Sequence, residues 1–311
     1  MTRFLVTGAA GFIGAHVVRR LASRGETAVL VRPGSRLERL ASCRERLTIL
    51  EADLADAAAV RRVVEQAQPD AVVHLAAAGV VTGLSAAQVV EGNLLGTYHL
   101  LAALRDTASA RRVVLAGSWY EYGQVLTGAS KRVPAPTSPY GISKLAATLL
   151  ALEFAAAGAV TCVVLRPFQV YGPDEPAHRL IPLVLRSALE GRRLPLENPD
   201  VFRDWVYVDD VARAFEAAVD CEASGAPAID IGAGHATSVR DVVRRVETLA
   251  GMPADDTFRG RAYSPSADAR LSGAADTGEA SRRLGWTATT PLDEGLRLTV
   301  QRFLQMSAHR A

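Results

Sequence analysis

The sequence lacks the features that mark several classes of protein. Lysine is nearly absent: of the 35 basic residues only Lys131 and Lys144 are lysines, and the net charge is +2. No long basic run occurs, so we expect no nucleic-acid partner. The three cysteines and six histidines are scattered without the spacing of a zinc or redox site, so we expect no metal centre. Neither a signal-peptide profile nor an apolar run of ~18 residues is found, so we expect a cytoplasmic protein without a membrane partner.

Short apolar segments alternate with amphipathic ones through the first half of the chain. Residues 14–25 and 89–106 have the apolar spacing of helices. This alternation is typical of an α/β protein with a Rossmann-type, doubly wound parallel sheet that helices cover on both faces. Strands are predicted at 4–8, 27–32, 47–53, 71–77, 112–118, 160–167 and 228–234.

The glycine-rich turn TGAAGFIG follows the first predicted strand and opens the first helix. The glycine spacing permits a tight turn, close approach to a pyrophosphate and close packing of helix on strand. The N–H groups and positive dipole end of the helix would then face the phosphates. A purely structural turn is the alternative, but at the first strand–helix junction the pattern predicts a dinucleotide site. Its residues would be Gly8, Gly11, Phe12, Ile13 and Gly14.

The end of the second predicted strand, VLVRPGSR, bears on which dinucleotide fits. NAD binders usually place Asp or Glu about 20 residues after the glycines, where it bonds the ribose hydroxyls. The matching residue is Arg32, followed by Ser35 and Arg36, which suits the 2′-phosphate of NADP(H). We therefore favour NADP(H) as the cofactor. NAD stays possible, because a solvated arginine at a strand end is ordinary in an arginine-rich chain.

The second half of the chain is less regular than the first. Segments 172–200 and 251–275 are rich in Pro, Gly, Ser and Arg. We predict a dinucleotide-binding Rossmann domain over 1–170 and a smaller C-terminal domain, mainly for substrate, over 171–311. Later segments near 201–233 would pack back onto the first domain.

The segment SPYGISK opens a long apolar helix, with Ser138 as its N-cap and Pro139 at the first helical position. Tyr140 and Lys144 lie four residues apart and share a face of this helix. A cation beside a phenol favours the phenolate and lowers a pKa that is normally ~10. A surface Tyr–Lys pair is the alternative. The scarcity of lysine weakens that alternative, because arginine would serve equally well on the surface.

The stretch GSWYEYG lies at the end of another predicted strand. It places three aromatic residues, a serine and a glutamate together in a chain that is only 6% aromatic. Ligands of open parallel sheets bind at the carboxyl ends of the strands. The stretch therefore predicts part of a site, with ordinary packing as the alternative.

Taken together, these motifs resemble those of the extended short-chain dehydrogenase/reductase family, the NAD(P)-dependent nucleotide-sugar epimerases, dehydratases and ketoreductases. The resemblance covers most of the chain. It implies hydride transfer between nicotinamide and a sugar carbon, a nucleotide-diphosphate sugar as substrate, and a homodimer formed through helices around 89–106 and 140–157. The motifs that carry it are TGAAGFIG, LEADLAD, VVHLAA, GNLLGTYHLL, GSWYEYG, YGISK, LRPFQVYGP and FRDWVYVDDVARA.

The resemblance assigns a catalytic triad of Ser118, Tyr140 and Lys144. Tyr140 would be the acid/base, Lys144 would bind the nicotinamide ribose and tune Tyr140, and Ser118 would bond the substrate oxygen. Asn93 would support the site from its helix. Asp53 and Leu54 would lie by the adenine, and Ala76 would lie on the cofactor's other side.

The resemblance also implies contacts to the nucleotide sugar. Arg203 matches the arginine that relatives use against the diphosphate, and Gln169 stands where many relatives have an asparagine. The loop 172–182, which contains Arg179, is expected to line the pocket. Arg270 is the candidate for the basic residue that usually grips the diphosphate near the C-terminus.

Three reactions branch from the shared hydride transfer. Family 4,6-dehydratases carry an Asp–Glu pair directly after the Ser or Thr of the turn. Here those positions are Trp119 and Tyr120, and Glu121 is displaced by one residue, so it would point differently. Tyr120 could replace the acid, but the carboxylate base is missing. We therefore do not expect a dehydratase.

The other two reactions need no extra carboxylate. A 4-epimerase normally retains NAD⁺, and Arg32 argues against it. A 4-ketoreductase takes hydride from exchangeable NADPH and needs only the catalytic triad, with Trp119 and Tyr120 as an apolar wall for a 6-deoxy sugar. We predict an NADPH-dependent reductase of a nucleotide-linked 4-keto-6-deoxyhexose, with the epimerase as the alternative. A non-catalytic NADP(H)-sensing scaffold is a third possibility.

Overall fold

Strands and helices alternate along most of the chain. The structure is a computed structural model that describes residues 1–79, 83–107, 112–123, 133–158, 160–194, 196, 198–221, 228–252 and 272–308. Its strands are β1 (Arg3–Thr7), β2 (Glu26–Val31), β3 (Leu47–Glu51), β4 (Ala71–His74), β5 (Arg112–Ala116), β6 (Thr161–Pro167), β7 (Gln169–Tyr171), β8 (Phe202–Arg203), β9 (Trp205–Tyr207), β10 (Ile229–Ile231) and β11 (Thr237–Ser238). Its helices are α1 (Phe12–Leu21), α2 (Ala57–Ala67), α3 (Ala86–Val90), α4 (Gly96–Arg105), α5 (Pro139–Ala156), α6 (Leu180–Leu189), α7 (Val208–Asp220), α8 (Val239–Leu249), α9 (Gly278–Leu284) and α10 (Leu292–Ala308).

A seven-stranded parallel sheet of order β10-β6-β5-β4-β1-β2-β3 forms the centre of the fold. Because successive side chains of a strand point to opposite faces, Leu5 and Val6 enter different cores. Val6 packs with α1 and α7 on one face, and Leu5 packs with α2, α4 and α5 on the other. The predicted Rossmann-type α/β fold is confirmed.

The chain reverses direction across the sheet next to β1. From β1 it runs outward through β2 to β3, and it then crosses back to β4 on the other side of β1. Helices before and after this crossover cover opposite faces, which leaves a crevice at the carboxyl ends of β1 and β4. Such a switch point is where open parallel sheets bind ligands.

The strands end earlier than the sequence pattern predicted. Strand β4 ends at His74 instead of residue 77, and β5 ends at Ala116 instead of residue 118. The apolar residues beyond these ends leave the ladder and form loops at the crevice. The predicted helix 89–106 is interrupted by a π-helical turn at Glu91–Leu95. Such turns occur frequently at functional sites.

A third hydrophobic core lies in the C-terminal part of the chain. It packs α6, α8 and α10 around Tyr171, Trp205 and Tyr207. Between these elements, α7 returns to pack against α1, and β10 joins the central sheet beside β6. The division into a cofactor domain and a substrate domain stays a prediction.

Within the described ranges, no helix is long and apolar enough to cross a membrane. Over the same residues, no cluster of three or more His, Cys, Asp or Glu side chains is placed to hold a metal ion. The three cysteines are buried free thiols.

Candidate active site

The junction of β1 and α1 is so closely packed that two of its positions have no space for a side chain. Gly8 has a φ of +67°, and a Cβ there would lie 2.6 Å from the backbone nitrogen of Ala76. A Cβ on Gly14 would overlap the carbonyl oxygen of Gly8. Helix α1 starts after Gly11, and no side chain makes a capping hydrogen bond to its first turn. This geometry fits a pyrophosphate bound at the helix N-terminus.

Residues expected near the adenosine end of the cofactor follow the neighbouring strands. Arg32 and Arg36 are exposed just beyond β2, where the N–H of Ser35 donates to the carbonyl of Arg32 at 3.0 Å. Beyond β3, Asp53 is exposed and Leu54 is buried. Since all these strands are parallel, their carboxyl ends meet at one edge of the sheet. The structure thus brings together the residues predicted for the cofactor.

A cavity of about 920 Å³ lies beside the segment that follows β2. Arg19, Arg36 and Arg39 line one side, and residues of α6 and α10 line the other. None of the catalytic triad lines this cavity. The cavity therefore includes Arg36, which was predicted to bind the cofactor, and none of the predicted catalytic residues.

The three residues predicted as the catalytic triad lie on α5 and in the turn after β5. Ser138 caps α5 by accepting the N–H of Gly141 at 3.1 Å, with Pro139 at the first helical position as predicted. Tyr140 and Lys144 follow on this helix. Ser118 begins the short 3₁₀ turn Trp119–Tyr122 after β5, and its hydroxyl hydrogen-bonds the Tyr140 phenol.

The protonation of the triad differs from the sequence-based expectation. Burial raises the pKa of Tyr140 to about 12, and the Ser118 hydrogen bond opposes this only in part. Burial also lowers the pKa of Lys144 to about 8. Burial therefore outweighs the lowering of the Tyr140 pKa that was expected from Lys144. At neutral pH the phenol keeps its proton.

Asn93 supports the site from the π-helical turn. Its side-chain oxygen accepts the N–H of Ala78 at 2.6 Å, and its nitrogen donates to the carbonyl of Ala78 at 3.2 Å. The same nitrogen donates to the Ser143 hydroxyl at 2.9 Å, and that hydroxyl donates to the carbonyl of Tyr140 at 2.8 Å. The amide thus ties the loop after β4 to helix α5, which agrees with the predicted supporting role.

The two aromatic residues after Ser118 have different surroundings. Trp119 is only 2% exposed and stacks on Phe168, with ring centroids 5.4 Å apart. Tyr120 is half-buried and meets the ring of Tyr140 edge-on at 5.4 Å. Trp119 therefore belongs to a small buried cluster, and Tyr120 borders the Tyr140 phenol.

Arg203 and Gln169 form a buried polar pair near Trp119. The Nη1 of Arg203 donates to the Gln169 side-chain oxygen at 3.1 Å, and its guanidinium carbon lies 6.0 Å from the Trp119 ring. Its Nε is buried without a hydrogen-bond partner among the described atoms. Unsatisfied buried donors are rare in folded proteins, so this one indicates a place for an anionic ligand.

Arg179 lies between the cofactor turn and the catalytic helix. It pairs with Glu175 at 2.9 Å, donates to the Val170 carbonyl at 3.0 Å, and places its guanidinium 5.9 Å from the Phe12 ring. Burial raises the pKa of Glu175 to about 7 although Arg179 opposes it. Arg270, the remaining residue predicted to contact substrate, lies outside the described residues.

The family of the protein follows from comparison with known proteins. Residues 4–232 match the NAD dependent epimerase/dehydratase family. The protein belongs to this family. A dTDP-glucose 4,6-dehydratase of Shigella flexneri is 33% identical over 340 residues, covering 97% of this chain and 92% of that enzyme.

Solved structures of similar shape include both epimerases and dehydratases. The UDP-glucose 4-epimerase of Thermotoga maritima, solved with UDP-glucose, has a TM-score of 0.88 at 28% identity, covering 98% of this chain and 99% of that one. A dTDP-glucose 4,6-dehydratase double mutant from Streptomyces venezuelae, solved with NAD, has a TM-score of 0.87 at 29% identity, covering 99% and 98%. The protein is thus an NAD(P)-dependent nucleotide-sugar enzyme of the extended short-chain dehydrogenase/reductase family, as predicted.

One buried polar cluster next to Ser118 was not predicted from the sequence. Glu121 was expected to point away from the position of a dehydratase acid, and it turns into the protein to pair with Arg166 on β6 at 2.7 Å. Arg166 also donates to the hydroxyl of Tyr122 at 3.2 Å. An arginine within an otherwise apolar buried strand was the signal that could have revealed this pair, because buried charges are paired.

Proposed function

We propose that the protein is an NADPH-dependent reductase that converts the 4-keto group of a nucleotide-linked 6-deoxyhexose to a hydroxyl. The observation that carries this proposal is a complete catalytic triad whose turn has aromatic residues, Trp119 and Tyr120, in place of the dehydratase carboxylates. The site can therefore manage a proton on a sugar oxygen. It lacks the acid–base pair that would act on a neighbouring sugar carbon.

Elimination of water is the reaction this site supports least. It requires one group that takes a proton from carbon and another that gives a proton to the leaving hydroxyl. The indole of Trp119 has no titratable group that could do either. Glu121, the nearby carboxylate, is fully buried and paired with Arg166. These facts support a reaction other than the elimination, despite the overall similarity to dehydratases.

The protonation of Tyr140 favours the direction of reduction. Bound NADPH would supply the hydride to the carbonyl carbon, which leaves a negative charge to be neutralised on the sugar oxygen. A phenol whose pKa is raised to about 12 holds its proton at neutral pH and can give it to that oxygen. Ser118, bonded to the same phenol, would orient the carbonyl oxygen for this transfer. Lys144 would hold the nicotinamide ribose.

Arg32 and Arg36 support the preference for NADPH. Both are exposed beyond β2, where an NAD-specific enzyme usually has an acid. We expect Arg32→Glu to lower the NADPH-to-NADH ratio of kcat/KM by roughly a hundredfold, since a charge-assisted contact to the 2′-phosphate is lost and repulsion replaces it. The check is kinetics with both cofactors. Arg62→Glu, an exposed arginine on α2, is the matched control. If Arg32→Glu and Arg62→Glu change the NADPH-to-NADH ratio equally, Arg32 does not bind the 2′-phosphate.

A nucleotide-sugar 4-epimerase is the second candidate. The overall similarity to the Thermotoga maritima UDP-glucose 4-epimerase favours it. The same three residues could also serve an epimerase, since epimerisation alternates oxidation and reduction at one carbon. Arg32 and the protonated Tyr140 favour the reductase.

The nucleotide carried by the purified protein tests the proposal. Denatured protein is analysed for released nucleotide, and fresh protein is mixed with NADPH and a panel of 4-keto-6-deoxy nucleotide sugars. The reductase predicts little retained nucleotide and consumption of NADPH with a member of the panel. Tightly held NAD⁺ without NADPH consumption would reverse the assignment in favour of the epimerase.

We also propose a homodimer through helices α4 and α5. Leu95, directly before α4, and Tyr98 on α4 are 45% and 43% exposed, and Ile142 and Leu149 of α5 are 51% and 58% exposed. Neighbouring exposed apolar side chains of this size are typical of an interface. The partner would be a second copy of the chain.

The dimer is tested with a charge in that surface. Leu149→Glu is expected to convert the dimer to a monomer, because a carboxylate cannot be buried there unpaired. Light scattering after size-exclusion chromatography measures the mass. Leu189→Glu on α6, where the leucine is 51% exposed, should leave the dimer intact. A monomeric wild-type protein would contradict the proposal.

A further inference from the structure

A buried carboxylate behind the catalytic turn has no part in the proposed reaction. Glu121 has no exposed surface. Its Oε1 accepts the backbone N–H of Ser118 at 2.9 Å and the hydroxyl of Thr148 at 3.0 Å. Its Oε2 accepts Nε of Arg166 at 2.7 Å. One carboxylate therefore joins the turn that carries Ser118, helix α5 and strand β6.

The surroundings of Glu121 are built to hold it in place. A Cβ on Gly117 would lie 2.7 Å from its Oε1, so glycine leaves the room that the carboxylate occupies. Arg166 is itself held by the hydroxyl of Tyr122, and that hydroxyl donates to Asp230 on β10 at 2.7 Å. Contacts with the Ser118 turn, helix α5 and strand β6 thus hold the carboxylate, and β10 supports them through Asp230. The carboxylate is therefore not free to turn towards the substrate.

The same carboxylate acts electrostatically on helix α5. Lys144 is 4% exposed, and the negative charge of Glu121 opposes the lowering of its pKa by burial. Glu121 also adds to the raised pKa of Tyr140. The other charged or titratable groups that face this pair are Tyr120 and Arg179 around Tyr140, and His74 on β4 near Lys144. Burial, followed by Lys144, lowers the pKa of His74 to about 3, so this histidine is neutral.

We propose that Glu121 is a positioning residue that locks the Ser118 turn against helix α5 and balances the buried ammonium of Lys144. This rests on the proposed function, which assigns Ser118 and Lys144 to the catalytic triad. Thr148, whose hydroxyl donates to Glu121, lies on α5 one helical turn after Lys144. The carboxylate therefore binds the helix close to the Lys144 ammonium. The position of the carboxylate would fix the Ser118 turn against α5, whereas its negative charge would stabilise the protonated form of Lys144.

Three variants separate these two effects. Glu121→Gln keeps the shape and removes the charge, whereas Glu121→Asp keeps the charge and shortens the reach. Asp230→Asn removes a carboxylate from the far end of the same hydrogen-bonded cluster and serves as the matched control. If the uncompensated Arg166 prevents folding of the first variant, Glu121→Gln is combined with Arg166→Met.

The readout is the affinity for NADPH as a function of pH, followed by nicotinamide fluorescence, together with the pH profile of kcat/KM. In the wild-type protein both should decline as Lys144 loses its proton, near its pKa of about 8. Without the charge of Glu121 the Lys144 pKa falls further, so Glu121→Gln should move both midpoints down by about one pH unit. Glu121→Asp should lower kcat and leave the midpoints unchanged, and Asp230→Asn should leave the midpoints unchanged.

The result that overturns the inference is a folded Glu121→Gln protein with wild-type midpoints, or an equal displacement in Asp230→Asn. The binding measurement needs no sugar and no turnover. If the proposed sugar substrate is wrong, Glu121→Gln should still shift the pH midpoint of NADPH binding. Conversely, if the wild-type protein consumes NADPH with a 4-keto sugar but Glu121→Gln has wild-type midpoints, the proposed function is supported and the role of Glu121 is contradicted.

Discussion

Replacing Tyr140 by phenylalanine is expected to lower kcat by about a thousandfold while the affinity for NADPH stays within about twofold of wild type. The phenol is the group placed to give a proton to the sugar oxygen, and Ser118 bonds it. Phenylalanine keeps the edge-on contact with Tyr120 and loses only the hydroxyl. Stopped-flow kinetics and fluorescence titration measure the two quantities.

The control for this prediction is a second buried tyrosine. Tyr171 donates its hydroxyl to the Leu292 carbonyl at 3.2 Å in the C-terminal core, away from the catalytic triad. Tyr171→Phe removes a comparable hydroxyl and should lower stability by about 1 kcal/mol with little change in kcat. A Tyr140→Phe enzyme that keeps more than a tenth of the wild-type kcat would contradict the assignment of Tyr140 as the proton donor.

Replacing Arg203 by glutamine is expected to weaken binding of the nucleotide sugar by roughly a hundredfold, with a smaller effect on kcat. The guanidinium is buried, one nitrogen bonds Gln169, and Nε has no partner among the described atoms. A diphosphate oxygen would satisfy that donor, and hydrogen bonds to charged groups contribute about 1.5–3 kcal/mol each. Binding should fail for nucleoside diphosphates as well, because they carry the same phosphates.

Calorimetry with UDP, dTDP, CDP and GDP identifies the preferred nucleotide first and then compares the variants. Arg192→Gln is the control, since Arg192 is exposed and paired with Glu190 on the surface. Loss of affinity in Arg203→Gln alone supports the diphosphate contact. Equal affinities of wild type and Arg203→Gln would show that the phosphates bind elsewhere.

The arrangement of the sheet edge could be predicted from the sequence. The glycine turn, Arg32, Ser118 and Lys144 each follow or accompany a recognisable strand or helix signal, and parallel strands bring such residues to one edge. Ser138 as the cap of α5 followed from local rules alone. These features depend on short stretches of chain, which is why pattern and spacing were sufficient.

The electrostatics beneath that edge could not be predicted in the same way. The pairing of Glu121 with Arg166 joins residues 45 positions apart, and the link from Tyr122 to Asp230 spans 108 positions. The raised pKa of Tyr140 depends on how deeply the fold buries it, which no motif encodes. Local signals predicted the candidate catalytic groups, whereas their protonation depends on distant parts of the chain.

The fate of the transferred hydride tests the central claim most directly. The protein is supplied with NADPH that carries deuterium at the transferable C4 position and with the 4-keto-6-deoxy nucleotide sugar that it consumes best. The account predicts one deuterium per product molecule, bonded to C4 of the sugar, with stoichiometric formation of NADP⁺. A sugar converted without deuterium and without loss of NADPH would contradict it, since the conversion would then involve no net transfer of hydride from NADPH.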